Sequence, residues 1–255
     1  MSDAKNQSAE PKNDLVESYL RIRTAIGILA VLLPVALFAS QFLEAVIFAP
    51  SISEFYYTPM REVLVGTIGA IAVFLISYKG YPINEARAKG AWTERFLSDR
   101  RVSYWAAFGA LGVAFFLTFT KIDIALSPDP LMWSIMSLNT AGLLHQVSAI
   151  MFFGALGIFC LSNFRRGEEK TLDDKRENTF YFKCGVVLMA CILALIVIGA
   201  IIKFEVWPDF EVFADHGHLI FWVETVGLIT FAAAWLRKGQ ALTTVPAALR
   251  QLVGL

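Results

Sequence analysis

Six long apolar runs separated by polar connections set the rhythm of the chain: Thr24–Phe48, Val63–Tyr78, Val102–Thr120, Ala141–Ser162, Phe180–Ile202 and Gly217–Leu236. Each approaches the roughly 20 residues an α-helix needs to cross the hydrocarbon core of a bilayer. The runs are continuously apolar rather than alternating, which argues against the strands of a membrane β-barrel. The pattern therefore predicts an all-α fold, a polytopic membrane bundle of six transmembrane helices within residues 21–240. Residues 1–20 read as a polar cytoplasmic tail that stays attached, because the apolar run behind it exceeds the roughly 7–15 residues of a signal-peptide core. Residues 241–255 read as a cytoplasmic C-terminal tail. The second run is short for a span unless its helix starts near Pro59, with Thr58 as its cap.

Composition agrees with the pattern. Hydrophobic residues make up 56% of the chain and aromatic residues 13%, with a mean hydropathy of +0.58, far from the balance of a soluble domain. The formal net charge of +0 hides a strong polarity. Of 22 Lys and Arg, only Arg61, Lys121 and Lys203 fall in the first, third and fifth connections. The other 19 lie on the opposite side, which the positive-inside rule makes cytoplasmic, together with both termini. Glu44, Glu54, Glu62, Asp123, Asp129, Glu205, Asp209, Glu211 and Asp215 then give an acidic outer side. Such a face repels anions and attracts cations, so nucleic acid is not an expected partner; the lipid bilayer is.

Candidate chemistry collects on that outer side. In the connection SISEFYYTPMRE, Arg61 and Glu62 stand at the mouth of the second span, and Gly66 and Gly69 follow Glu62 at i+4 and i+7. Small residues on one face let membrane helices approach, so Glu62 is expected to look into the bundle. His145 lies one to two turns into the fourth span with Ser148 on its face, and Glu224 lies roughly 9 Å deeper than His218 in the sixth. An ionisable residue at that depth normally faces protein or water. Arg61, Glu62, His145, Ser148 and Glu224 are therefore expected to form an outward-facing polar pocket for a small molecule, a cation or a lipid headgroup. The bland reading of His145 and Glu224 is a pair of interhelical ties.

No catalytic residue is expected, since no nucleophile elbow or phosphate-binding glycine motif is present. No cofactor is expected either. The metal candidates are His145, Asp215, His216 and His218, whose side chains suit zinc. His216 and His218 would diverge by about 200° on a helix, and would share an ion only from an extended segment. Cys160, Cys184 and Cys191 fall within spans and are expected as reduced packing residues. FGALG occurs at Phe108–Gly112 and Phe153–Gly157, and reads as small-residue patches for helix contact rather than as a duplication.

The segments SISEFYYTPMREVLVGTIGAIAVFLISYKGY, LHQVSAIMFF, RENTFYFKCGVVLMACILALI and FWVETVGLITFAAAWLRKG resemble an uncharacterised family of small six-span bacterial integral membrane proteins. The resemblance implies a multi-pass protein of the bacterial inner membrane and carries over no activity. A fainter likeness, in helix number and in the histidine-led fourth span, is to the DRAM/Sfk-like membrane proteins, which implies a lipid-related or regulatory role. The alternative reading, an intramembrane metal-dependent hydrolase similar to the ceramidases, has against it their seven spans and wider histidine spacing. A structural subunit of a membrane complex is the third reading.

Overall fold

The computed structural model describes residues 10–43, 46–78, 80, 96–116, 118–119, 136–166 and 171–239. Among them are seven α-helices and no strand: α1 Glu10–Ala39, α2 Arg61–Ser77, α3 Asp99–Phe115, α4 Leu138–Leu161, α5 Leu172–Lys203, α6 Phe210–His216 and α7 Leu219–Lys238. The stretches Leu20–Phe42, Leu138–Arg165, Leu172–Lys203 and Leu219–Lys238 are long and apolar enough to cross a membrane. Helices α2 and α3, 17 residues each, fall short of that length. At 1.5 Å per residue such a helix covers about 25 Å, against a hydrocarbon core of about 30 Å.

Local chemistry fixes several helix ends. Helix α5 opens on a capping box, in which Thr171 Oγ1 accepts from Asp174 N at 3.1 Å and Asp174 Oδ2 accepts from Thr171 N at 2.9 Å. At α4, Ser137 Oγ accepts from Thr140 N. The expectation for α2 needs correction. The helix begins at Arg61, and Thr58 Oγ1 accepts from Met60 N one residue before it, so Thr58 shapes the approach rather than capping the helix. The predicted first span is also too long: helix ends at Ala39, a 3-10 turn runs Ser40–Phe42, and Val46–Ala49 has no regular structure. The predicted N-terminal tail is helical from Glu10, while residues 1–9 and the predicted tail 241–255 lie outside the described residues.

The helices pack as membrane helices do, with apolar side chains outside and polar ones inside. Leu32, Val35, Val73, Leu143, Val147, Leu193 and Ile196 are exposed, whereas Arg23, Asp99, Ser103, His145, Ser148 and Asn163 are buried. In water that arrangement would be unstable; in lipid the outer face is solvated and the polar groups bond one another. Close approach is permitted by small residues. A Cβ on Gly109 would run into the backbone of Ser148 and Phe152, and one on Gly112 into the Ser148 side chain, so α3 and α4 meet nearly backbone to backbone. Both glycines belong to the first FGALG, in keeping with the helix-contact reading; in the second, Gly157 meets the Met189 side chain but Gly154 faces open space.

Hydrogen bonds sort the helix ends into two groups. At one end, called lower here, Arg23 Nη2 donates to Tyr78 Oη at 2.9 Å and Lys238 Nζ donates to the Phe164 carbonyl at 3.0 Å. Asp99 accepts from Asn163 Nδ2 at 2.6 Å and pairs with Arg166 at 3.1 Å. Tyr78, Phe159, Phe164, Tyr181, Phe231 and Trp235 form an aromatic core beneath them, centred on Trp235. The upper end holds the candidate site.

Candidate functional site

The upper end is built around a short segment that dips between the helices. Pro50 to Thr58 contains a 3-10 helix, Ser53–Tyr57, started by reciprocal bonds between Ser51 and Glu54: Ser51 Oγ accepts from Glu54 N at 3.1 Å and donates to Glu54 Oε1 at 3.1 Å. Its backbone is then tied twice to α7, and its Tyr57 side chain to the chain just beyond α3. Ile52 N donates to Glu224 Oε2 at 2.6 Å, and the Pro50 carbonyl accepts from Phe221 N at 2.9 Å, one of the first-turn amides of α7 that no intrahelical carbonyl reaches. Tyr57 Oη donates to the Thr118 carbonyl at 2.6 Å. Burial raises the Tyr57 phenol well above its usual pKa, with the neighbouring Tyr56 and Glu54 adding to the effect, so it remains a donor.

His145 completes the attachment. Its Nδ1 lies 2.9 Å from the Phe116 carbonyl, at the C-terminal end of α3, and its Nε2 lies 3.0 Å from Ser53 Oγ. A carbonyl only accepts, so Nδ1 carries the proton; in the neutral ring Nε2 then accepts from the serine hydroxyl. Consecutive residues of the segment, Ile52 and Ser53, are thus held by the two deep polar residues Glu224 and His145. Ser148 turns its hydroxyl back to the Leu144 carbonyl at 2.7 Å and fills the space before Gly112. Phe48, Phe55 and Phe221 pack edge to face around the segment.

Arg61 and Glu62 stand apart from this network. They line a groove of about 430 Å³ with Tyr56, Val65, Gly66, Ala114 and Phe115, and neither His145, Ser148 nor Glu224 lines it. The expectation that Glu62 faces the bundle is overturned: its side chain is 75% exposed, and a Cβ on Gly66 or Gly69 would meet nothing within 4 Å. Those glycines clear a path along the outer face of α2 instead of admitting another helix. The Arg61 side chain is 23% exposed, lies 3.8 Å from the Glu62 carboxylate and sits over the Tyr56 ring at 5.7 Å. Burial raises the Tyr56 pKa, and Arg61 works against that.

The metal candidates are dispersed. His216 ends α6, with Nδ1 2.8 Å from the Val212 carbonyl, and with Asp209 it borders a second recess of about 660 Å³. His218 adopts the left-handed conformation (φ 47°) that breaks α6 from α7, and its ring packs on Phe48. Both nitrogens of His145 are engaged as described above. Among the described residues no group of three or more His, Cys, Asp or Glu side chains is placed to hold a metal ion.

Sequence reasoning picked out His145 and Glu224 by their depth but missed Ser53 and the Ile52 amide, their partners. The spacing of Ser51 and Glu54, S-x-x-E, is the capping-box signal that marks an ordered segment there. It also missed the lower-end residues Arg23, Asp99, Asn163 and Lys238. Comparison with protein-family models, with curated proteins and with solved structures finds no match to this chain. Fold and composition define a helical membrane protein, and the site has to be read from its own geometry.

Proposed function

We propose that the protein binds a membrane lipid in the groove between α2 and α3, with the headgroup at Arg61 and Glu62 and an acyl chain on Val65, Gly66, Ala114 and Phe115. In this reading all six long helices cross a bacterial inner membrane, the shorter α2 and α3 being completed at the outer side by the segment Pro50–Thr58. Both termini are cytoplasmic and the groove opens toward the outer leaflet. His145, Ser148 and Glu224 belong to the frame that holds the segment in place, rather than to the ligand.

The observation that carries the proposal is the groove itself: a charged rim over an apolar floor, with the exposed glycine face of α2 continuing from it along the helix. Such a shape suits an amphiphile better than a soluble polar solute, which would leave the floor unsatisfied. The groove can be filled without disturbing the packing, because nothing stands in front of Gly66. Gly66→Leu should therefore fold normally in detergent yet lose bound phospholipid, read by native mass spectrometry of the purified protein. Lipid retained in full by Gly66→Leu would refute the proposal.

A further inference from the structure

We infer that the groove selects a zwitterionic phospholipid bearing a primary ammonium, a phosphoethanolamine head; this rests on the lipid-groove reading above. The rim offers one cation and one anion on consecutive residues, 3.8 Å apart, with the carboxylate the more exposed of the two. A phosphate diester suits the planar guanidinium of Arg61, which can meet two of its oxygens. An ammonium two carbons further on then reaches toward Glu62. A phosphatidylglycerol head keeps the first contact but offers Glu62 only uncharged hydroxyls in place of an ammonium.

Choline is distinguished by two features. Its quaternary nitrogen carries no N–H, so Glu62 can offer it only an unspecific Coulomb attraction in place of a charge-assisted hydrogen bond. An aromatic face is the usual alternative partner for such a cation, but the Tyr56 ring at this rim is already covered by the Arg61 guanidinium at 5.7 Å. The apolar floor argues for a lipid as the source of the head rather than free phosphoethanolamine.

The test compares dioleoyl phosphatidylethanolamine, phosphatidylcholine and phosphatidylglycerol, at matched mole fraction, for retention on the purified full-length protein by native mass spectrometry. Soluble phosphoethanolamine is added as a competitor. Retention of the ethanolamine lipid should exceed that of the other two about two- to five-fold, which is what an ion pair to a solvent-exposed carboxylate provides. Glu62→Gln is a clean variant, because the side chain is exposed; it should abolish that preference while lipid of all three kinds still binds. Equal retention of the three lipids, still blocked by Gly66→Leu, would sink the headgroup assignment and leave the groove standing. Retention indifferent to Gly66→Leu would sink both. Displacement by soluble phosphoethanolamine at concentrations comparable to the lipid would overturn the lipid as the source.

Discussion

At the residue scale the upper end of the molecule is an exercise in satisfying backbone groups where water is scarce. The Phe116 carbonyl follows the last turn of α3 and has no intrahelical donor, and an orphan of this kind costs several kcal/mol inside a membrane. His145 supplies the donor and uses its second nitrogen to hold Ser53. Replacing it by Ala removes both bonds and leaves a cavity, so His145→Ala should lower stability by about 2–4 kcal/mol. His145→Gln, whose amide still donates and accepts, should lose about half as much or less. Ser53→Ala should cost about 1 kcal/mol, since it removes one neutral hydrogen bond. Thermal unfolding in detergent micelles measures all three, and an alanine variant as stable as the parent would show that the bridge contributes nothing. The same residues bear on function only through the segment they hold, so lipid retention in His145→Gln should stay close to that of the parent.

At the scale of elements, identical chemistry has opposite consequences on two helices. Gly109 of α3 faces the backbone of Ser148 and Phe152, which cannot move aside, so Gly109→Ala should destabilise by about 1–3 kcal/mol through overpacking. Gly66 of α2 faces open space, and Gly66→Ala should stabilise by roughly 0.5–1 kcal/mol through the helix propensity of alanine. Unfolding of the two variants side by side checks the sign, and a loss of stability in both would mean that α2 carries a close neighbour after all. This contrast marks the limit of what the pattern of residues reveals. Long apolar runs are legible because length and hydropathy are local: α4 and α7 lie within three residues of expectation at both ends, and α5 at its C-terminal end, whereas α5 starts at Leu172, well before the expected Phe180, because its polar first turns carry the capping box. Whether a glycine face is covered is decided by which helix packs where, so the same small-residue signal was sound for Gly109 and misleading for Gly66. The ligand-like appearance of His145 and Glu224 has a related cause: their depth is written in the sequence, but their partners are a carbonyl, an amide and a serine from remote segments. Helix α6 was missed because seven residues give too short a window for periodicity, and its break from α7 depends on the left-handed backbone at His218.

At the scale of the whole molecule, charge and packing point the same way. The lower end gathers Arg23, Arg166 and Lys238, with Arg237 beside Glu177 at 3.6 Å, and each helix that ends there, α4 and α7 among them, presents carbonyls that attract cations. Arg23 Nη1 reaches the Lys238 carbonyl and Lys238 Nζ the Phe164 carbonyl, so the basic residues of this end also close its helix ends. The upper end carries Arg61 and Lys203 among the described residues, with Glu54, Glu62, Asp209, Glu211 and Asp215 around them. Proteins insert with their Lys and Arg on the cytoplasmic side, so the groove should face outward. Asp173 in the first turn of α5 and Asp209 just beyond its C-terminal end are both exposed and lie on opposite sides of a helix about 48 Å long. The native cysteines Cys160, Cys184 and Cys191 are buried and give little background. In intact cells a membrane-impermeant maleimide should label Asp209→Cys, and should label Asp173→Cys only after the membrane is permeabilised. The reverse pattern would place Arg61 and Glu62 at the inner leaflet, and the headgroup selected by the groove would then have to be sought on the cytoplasmic side.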